Sequence, residues 1–400
     1  MREINGIVTG RYAPEFERVA EQFLKHFETG QEVGAGLCVY RKGALAVDLW
    51  GGYSNPDTKS PWSADTLIVV FSVSKGLTAM ALNLAAEQGR FEWDAPVAEY
   101  WPAFAQSGKQ SITVRQLFNH QAGLAALSVP LTLAQYCDPA QRLSIRAVLE
   151  QQTPVTPTLQ AYHALSFGMY ADHFFEIVCG ESMTSYLHRE WLDPLEADVF
   201  LGTPAAQDHR VARLLPVGNG ARLGRMLWAA VRGGSTEANV ARSILRGGLA
   251  KQALTNPSSP GGMADYNSEP VRRCFLPWAS ATATARGLAR AYLPWSLSGH
   301  WQGRSWVSPA TMAQVVGRQT WSVQDQVLGK AMGWSQGFLK EESGVFSPNP
   351  ESFGHPGIGG PLGWCDPKEQ LAIGYTLNRS DWRVRSPRAL ALCAAIYQCV

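Results

Sequence analysis

The chain has 400 residues, of which 46% are hydrophobic and 17% are charged, a composition typical of globular proteins and unlike that of disordered ones. Its 35 basic and 33 acidic residues give a net charge of +2 and form no basic run, which argues against a nucleic-acid partner. The length allows two or three domains, and the lack of 18 consecutive apolar residues argues against a transmembrane helix.

The two ends of the chain each contribute strand patterns. Residues 14–30 repeat apolar side chains at helical spacing and stop at Gly30, which predicts an N-terminal helix. Two apolar runs at 34–40 and 44–50, separated by Arg-Lys-Gly, predict a β-hairpin. Near the other end, four short strand candidates precede a closing apolar helix at 387–400, and these candidates are 331–340, 351–360, 362–367 and 370–378.

The middle of the chain is mostly helical in pattern. Helices are predicted at 78–89, at 112–124 and around 168–190, and proline-punctuated loops are predicted at 203–220 and 254–278. Strands at both ends around a helical middle predict one sheet domain, built from both chain ends, with a helical domain inserted into it. The predicted boundaries are 1–75 plus 280–400 for the sheet domain and 76–279 for the helical domain, with the active site at their interface.

The N-terminus and the cysteines favour a cytoplasmic protein. The first residues lack the basic start and apolar core of a signal peptide. The seven cysteines are odd in number and form no C-x-x-C pair, so neither a zinc site nor a disulfide framework is indicated.

A Ser-x-x-Lys pattern at Ser72 and Lys75 is the first candidate for chemistry. In a helix that begins near Ser72, the two side chains lie one turn apart on one face, whereas Ser74 points about 100° away. A lysine amine can accept the serine proton if burial lowers its pKa, and the helix N-terminus favours a developing anion. The alternative from the local pattern alone is an N-capping serine beside a solvated lysine.

Two further segments, which follow the Ser-x-x-Lys pattern along the chain, indicate the family to which the pattern belongs. Ser72-x-x-Lys75, then Tyr162, then His355-Pro-Gly357 resembles the serine β-lactamase and penicillin-binding-protein superfamily, from about residue 15 to the end of the chain. Within it, the sequence is most similar to the family VIII carboxylesterases, relatives of the class C β-lactamases. The resemblance implies an α+β fold in which an antiparallel sheet is flanked by the N- and C-terminal helices.

The resemblance also implies roles for individual residues. Ser72 would be the nucleophile that forms an acyl-enzyme, and Lys75 and Tyr162 would share the general-base and general-acid duties, in an order that the sequence leaves open. The backbone N–H groups of Ser72 and Ile358 would form the oxyanion hole, and no cofactor or metal would take part. Four further residues would belong to the third motif or the substrate pocket, namely His355, Gly357, Trp364 and His120.

Two of these histidines have open alternatives. His355 either hydrogen-bonds the Tyr162 phenol or only lines the pocket. His120 either contacts the substrate at the mouth of the site or has a packing role at the end of a helix.

The chain departs from the class C pattern at two motifs, and this favours an esterase. His163 and Ala164 follow Tyr162 where the family has a second-motif Asn, and His355-Pro356 replaces the Lys-Thr that grips a β-lactam carboxylate. We therefore expect a carboxylesterase that acts on small-molecule esters with short- to medium-chain acyl groups. The alternatives are a β-lactam hydrolase or peptidase, an acyltransferase of the same fold, and a catalytically silent binding protein; the oligomeric state stays open.

A competing motif lies at Gly333-Trp-Ser335-Gln-Gly337, which satisfies the G-x-S-x-G pattern of α/β-hydrolases. That motif requires a helix after the serine and a catalytic histidine later in the chain. The last histidine of the sequence after Ser335 is His355, which belongs to the third motif and precedes the candidate acid Asp366. We therefore expect Ser335 to be structural.

Overall fold

In the computed structural model, the described residues are 1–155, 158–233, 235–245, 247–340 and 344–400. Within these ranges the strands are, in chain order, β1 (Arg2–Ile4), β2 (Val8–Tyr12), β3 (Gly34–Arg41), β4 (Ala44–Asn55), β5 (Ser60–Pro61), β6 (Ile68–Val69), β7 (Val199–Phe200), β8 (Thr282–Ala283), β9 (His300–Trp301), β10 (Arg304–Ser305), β11 (Thr320–Ser322), β12 (Met332–Ser335), β13 (Phe338–Lys340), β14 (Phe353–Pro356), β15 (Leu362–Asp366) and β16 (Leu371–Leu377). The α-helices are α1 (Glu17–Glu28), α2 (Val73–Glu87), α3 (Val97–Tyr100), α4 (Val114–Phe118), α5 (Leu133–Tyr136), α6 (Arg142–Gln151), α7 (Ser166–Cys179), α8 (Met183–Leu187), α9 (Asn219–Arg232), α10 (Thr236–Leu245), α11 (Leu249–Thr255), α12 (Glu269–Arg273), α13 (Ala285–Ser296), α14 (Pro309–Val316) and α15 (Pro387–Tyr397).

Eleven of these strands form one antiparallel sheet that joins the two ends of the chain. Its order is β1-β2-β4-β3-β16-β15-β14-β13-β12-β11, with β5 paired to β4. The join is the β3–β16 pair, which runs from Ala35 opposite Leu377 to Arg41 opposite Leu371. The predicted α+β class with an antiparallel sheet is confirmed, as is the predicted hairpin, which is β3 and β4.

Helices cover both faces of this sheet, and alternate residues of β3 pack into the hydrophobic cores on the two faces. Leu37 and Val39 belong to the hydrophobic cluster of α1 and α15, whereas Cys38 and Tyr40 belong to the cluster that includes α13. Successive side chains of a strand point to opposite faces, so alternating members of one apolar run fill two cores. The terminal helices α1 and α15 pack against each other, and α13 packs against β3, β15 and β16.

Helix α2 is the central helix of the molecule. All its residues from Val73 to Ala85 are buried, so it has no solvent-facing stripe. It contacts β13, β14 and β15 of the sheet and the helices α7 and α8. The division into domains 1–75 plus 280–400 and 76–279 stays a prediction.

Two predicted helices are shorter or more broken than the sequence pattern suggests. Of the helix expected at 112–124, only α4 forms. It begins at a capping box between Thr113 and Gln116 and ends before His120, whose φ is +63°. The helix expected around 168–190 is interrupted at Gly180, whose φ of +71° ends α7, and it resumes as α8.

Other differences lie in turns and in the middle of the chain. The strand expected at 331–340 is the hairpin β12–β13, whose turn residues Gln336 and Gly337 have φ of +45° and +84°. The loops expected at 203–220 and 254–278 contain 3₁₀ turns at Ala205–Arg210 and Gly262–Asn267. Between these loops, α9, α10 and α11 form helices that the sequence analysis does not predict.

A close approach of two backbones at Gly168 leads to a testable prediction. A Cβ placed on Gly168 in α7 would lie 2.6 Å from the Trp278 nitrogen and 2.9 Å from the Pro277 carbonyl carbon, and backbone atoms cannot rotate away. We expect Gly168→Ala to lower the free energy of unfolding by about 1–3 kcal/mol, measured by urea denaturation. The matched control is Gly220→Ala in α9, which would meet nothing within 4 Å and should be neutral or stabilising by up to about 1 kcal/mol. Equal stability of the two variants would contradict the close approach.

Candidate active site

Ser72 lies at the N-cap position of α2, directly after a sharp turn in the backbone. The preceding Phe71 has a φ of +46°, a conformation that few non-glycine residues adopt. The Ser72 hydroxyl makes no capping hydrogen bond, and the Lys75 Nζ instead donates to its Oγ at 3.2 Å. The capping alternative therefore describes the position of Ser72 but not the contact of its side chain.

Lys75 is buried, with 1% of its surface exposed, and it has no carboxylate partner among the described residues. Its Nζ also donates to the Trp278 carbonyl at 3.1 Å. Burial alone holds the pKa of Lys75 well below its usual range, because the charged ammonium loses its hydration. A neutral amine beside a serine hydroxyl can accept the hydroxyl proton.

Tyr162 lies beside this pair within a group of aromatic rings. The Lys75 Nζ is 5.2 Å from the centroid of the Tyr162 ring. The rings of Trp334 and His355 stack on Tyr162 with centroid distances of 5.7 Å and 6.2 Å. This packing fixes the plane of the phenol ring next to the amine.

His355, in β14, is a neutral imidazole. Its Nδ1 donates to the Pro356 carbonyl at 2.8 Å, and its buried Nε2 has no hydrogen-bond partner among the described residues. Burial, and then the nearby Lys75, hold the pKa of His355 well below its usual range. The contact with Tyr162 is thus ring stacking, and His355 lines the cavity at Ser72.

Gly357 brings the third motif against the strand that leads to Ser72. A Cβ on Gly357 would lie 2.4 Å from the Val70 carbonyl oxygen, so only glycine allows this approach. The following Ile358 lines the same cavity as Ser72. Within the described residues, neither the Ser72 N–H nor the Ile358 N–H donates a hydrogen bond, which leaves two backbone donors for a ligand.

The cavity at Ser72 has a volume of about 580 Å³, within the range of small-molecule sites. Phe71, Tyr162, His355 and Ile358 surround the Ser72 end, and Arg385 also lines the cavity. Apolar side chains on the rest of the wall include Leu133, Ala164, Leu165, Met226, Val240, Ile244, Leu254, Met263, Leu328 and Met332.

The structure does not place every predicted pocket residue at this cavity. Trp364 is buried in β15 and packs on Phe346 with a centroid distance of 5.2 Å, away from the lining. His120 lies behind Tyr162: its ring is 3.9 Å from that of Trp334, and its Nδ1 accepts the His163 N–H at 2.9 Å. Gly357 itself contacts Val70 and Pro361, and its neighbour Ile358 lines the cavity.

Two residues at the site have no counterpart in the sequence analysis. Trp278 acts through its backbone carbonyl, for which a sequence carries no signal. Trp334 stacks on Tyr162. It is the residue directly before Ser335 in the G-x-S-x-G segment, and that motif points to the serine rather than to the tryptophan. Ser335 is buried and its Oγ donates to the Gln314 carbonyl at 2.7 Å, with a strand rather than a helix after it.

The sequence matches the Beta-lactamase family over residues 16–396. The chain belongs to this family. It is also 31% identical over 380 residues to Esterase/beta-lactamase LipL of Mycobacterium tuberculosis (strain ATCC 25618 / H37Rv), an alignment that covers 93% of this chain and 83% of LipL. The predicted superfamily is thereby confirmed.

Solved structures of the Beta-lactamase fold agree over the whole chain. A family VIII carboxylesterase superposes with a TM-score of 0.85 at 32% identity, covering 98% of this chain and 100% of that one. A penicillin-binding protein homologue from Caulobacter crescentus superposes with a TM-score of 0.83 at 29% identity, with the same coverage. The chain is therefore a hydrolase of the β-lactamase fold. In the described ranges, no helix combines the length and hydropathy that a bilayer span requires.

The lowered pKa of Lys75 predicts a pH dependence of stability. Between its lowered folded pKa and the unfolded value of about 10.4, only the unfolded chain binds the lysine proton, so the parent loses stability as pH falls. Lys75→Met removes this loss. We expect the stability of Lys75→Met relative to the parent to be greater at pH 7 than at pH 10, by about 1.4 kcal/mol per pH unit within that interval.

Urea denaturation at both pH values measures this difference. The pH comparison is independent of the hydrogen bonds that the variant loses, because their loss is present at both pH values. The control is Lys251→Met, which changes an exposed lysine and should show no such trend. A pH-independent difference for Lys75→Met would contradict a neutral amine.

Proposed function

We propose that this protein is a serine carboxylesterase that cleaves esters with short- to medium-chain acyl groups through an acyl-enzyme on Ser72. The observation that carries the proposal is the buried Lys75 amine, whose Nζ lies 3.2 Å from the Ser72 Oγ at one end of an apolar cavity. The names of the esterase relatives agree with this chemistry.

In the acylation step, the Ser72 Oγ attacks the ester carbonyl carbon and gives its proton to a general base. The short Nζ–Oγ contact and the lowered pKa support Lys75 as that base. The carbonyl oxygen becomes an oxyanion, which the N–H groups of Ser72 and Ile358 stabilise. When the carbon–oxygen bond breaks, the leaving alcohol takes the proton from Lys75, directly or through the Tyr162 phenol.

In the deacylation step, water takes the place of the alcohol. Lys75, directly or through the Tyr162 phenol, takes a proton from the water as its oxygen attacks the acyl carbon, and the same N–H pair binds the second oxyanion. The Ser72 Oγ leaves with that proton. The carboxylic acid is released, and the hydroxyl and the neutral amine are restored.

The lining of the cavity suits an ester with an apolar acyl or alcohol group. Ala164 lines it where the class C pattern has an amide, and His355 and Pro356 line it in place of a lysine and a hydroxyl. The His163 ring is buried away from the lining. A site with these groups favours esters over ligands that need a bound amide, because an apolar wall leaves polar groups of a ligand unpaired.

Covalent labelling tests the nucleophile. After exposure to a p-nitrophenyl alkylphosphonate, mass spectrometry should show one adduct on the parent and none on Ser72→Ala. Hydrolysis of p-nitrophenyl butyrate should fall by about 10⁴-fold or more in the same variant.

Two serines provide matched controls for this labelling. The Ser74 Oγ accepts the Ala281 N–H at 3.1 Å and the Ser335 Oγ donates to Gln314, so both hydroxyls have structural partners. Ser74→Ala and Ser335→Ala should retain the adduct. An adduct that persists in Ser72→Ala and disappears in Ser335→Ala would contradict the proposal and identify Ser335, in the G-x-S-x-G segment, as the nucleophile.

A comparison of substrates tests the ester preference against the rival suggested by the name of LipL. We expect kcat/KM for p-nitrophenyl butyrate to exceed that for a chromogenic cephalosporin by at least about 100-fold, since the cavity lacks the amide and the third-motif lysine. Stopped-flow release of p-nitrophenolate measures the first and cephalosporin ring opening the second. A reversed ratio would make the protein a β-lactam hydrolase, and the absence of both reactions and of labelling would support a silent binding protein.

A further inference from the structure

A second cavity, of about 820 Å³, lies behind two walls of the candidate active site. One shared wall is α9, where Arg225 and Trp228 line the second cavity and Met226 lines the first. The other is the segment before α15, where residues 380–383 line the second cavity and Val384 lines the first. The two cavities have no lining residue in common, so they are separate sites. We call the second one the basic cavity.

The basic cavity has more guanidinium groups than carboxylates. Arg388 is paired with the buried Glu32 at 2.6 Å, and Arg383 lies 3.4 Å from Asp381. The other two arginines that line it have no carboxylate partner among the described residues: these are Arg225 and Arg379.

The two arginines without carboxylate partners point to an anionic ligand. Among the residues that the structure describes, Arg379 donates one hydrogen bond, to the Gly30 carbonyl at 2.6 Å, so most of its N–H groups remain available, and Arg225 is exposed. Guanidinium groups recognise phosphate and carboxylate through paired hydrogen bonds, which are stronger than neutral ones. Two such groups line this one cavity, one on α9 and one directly after β16, so the cavity offers both of them to an anion.

Two tryptophans give the basic cavity flat apolar faces. Trp228 is 57% exposed, which is unusual for so large an apolar side chain, and Trp382 is half-buried. The guanidinium groups of Arg232 and Arg383 lie over the faces of Trp228 and Trp382, at 4.1 Å and 5.1 Å from the ring centroids. Arg232 covers one face of Trp228, and a planar ring of a ligand would bury the other face and stack on it.

We propose that the basic cavity binds an organic anion that combines a flat aromatic ring with a phosphate or carboxylate group. The charge would be held by Arg225 and Arg379, and the ring by Trp228. The volume fits a small molecule of this kind. The proposal concerns a site outside the catalytic cavity and is independent of the proposed esterase activity.

Isothermal titration calorimetry with 1-naphthyl phosphate tests the site on the full-length protein. We expect binding with one site per chain, weakened about tenfold or more in Arg225→Gln and in Arg379→Gln, and weakened at least about threefold in Trp228→Ala. 1-Naphthol and inorganic phosphate should each bind more weakly than 1-naphthyl phosphate, because each lacks one half of the ligand. 1-Naphthoate distinguishes a carboxylate site from a phosphate site by the tighter of the two Kd values.

Two further variants locate the probe. Arg304→Gln changes an exposed arginine that also stacks on a tryptophan, Trp306 at 4.0 Å, but lies outside the basic cavity, and it should leave the Kd unchanged. Arg385 lines the catalytic cavity, so a loss of binding in Arg385→Gln but not in Arg225→Gln would place the probe there and overturn the proposal. No binding to the parent, or equal binding to all variants, would overturn it as well. Circular dichroism of each variant verifies that the substituted surface residues leave the fold intact.

Discussion

A lysine amine that is buried one helical turn from a serine hydroxyl constrains every element around it. In water, the Lys75 ammonium would hold its proton and could not act as a base near neutral pH. The burial of α2 along nearly its whole length removes that water, and in the described part of the chain the Nζ hydrogen-bonds the Ser72 hydroxyl and the Trp278 carbonyl and nothing else. Burial here lowers stability and creates reactivity through the same loss of hydration.

Two close contacts between backbones position the elements around Lys75. Gly168 lets α7 touch the backbone at Trp278, which sets the position of the carbonyl that accepts from Lys75. Gly357 lets the third motif touch Val70, and the next residue, Ile358, lines the cavity that Ser72 also lines. Both contacts are between backbones, so they define positions that no rotamer change can shift. The Ile358 N–H and the Trp278 carbonyl are thus positioned by backbone contacts rather than by flexible side chains.

How much of this was predictable from sequence depends on the kind of signal each part carries. The β3–β4 hairpin and α15 were predictable because the spacing of apolar residues within a short stretch of sequence distinguishes a strand from a helix. The Ser72–Lys75 contact was predictable because one helical turn relates the two positions. The helix breaks at His120 and Gly180 each depend on a single residue with positive φ. The apolar periodicity of the sequence continues past both residues, so it does not predict the breaks. The role of Trp278 could not be predicted, because a carbonyl group is common to all residues and only the tertiary contact selects one.

The wall of the catalytic cavity shows why the reaction is easier to infer than the substrate. The groups proposed to react lie on α2, on the segment before α7 and on β14 and its turn, elements tied to the central sheet or buried beside it. Much of the apolar wall instead comes from α9, α10 and α11, through Met226, Val240, Ile244 and Leu254. These helices have no counterpart in the sequence analysis and contribute no group to the proposed proton transfers. A change in their side chains would alter the shape available to a substrate while leaving the Lys75–Ser72 contact intact, so substrate choice and chemistry are encoded in separate parts of the chain. The same α9 also carries Arg225 and Trp228 on its other side, so a ligand in the basic cavity would rest on a wall that the substrate also touches.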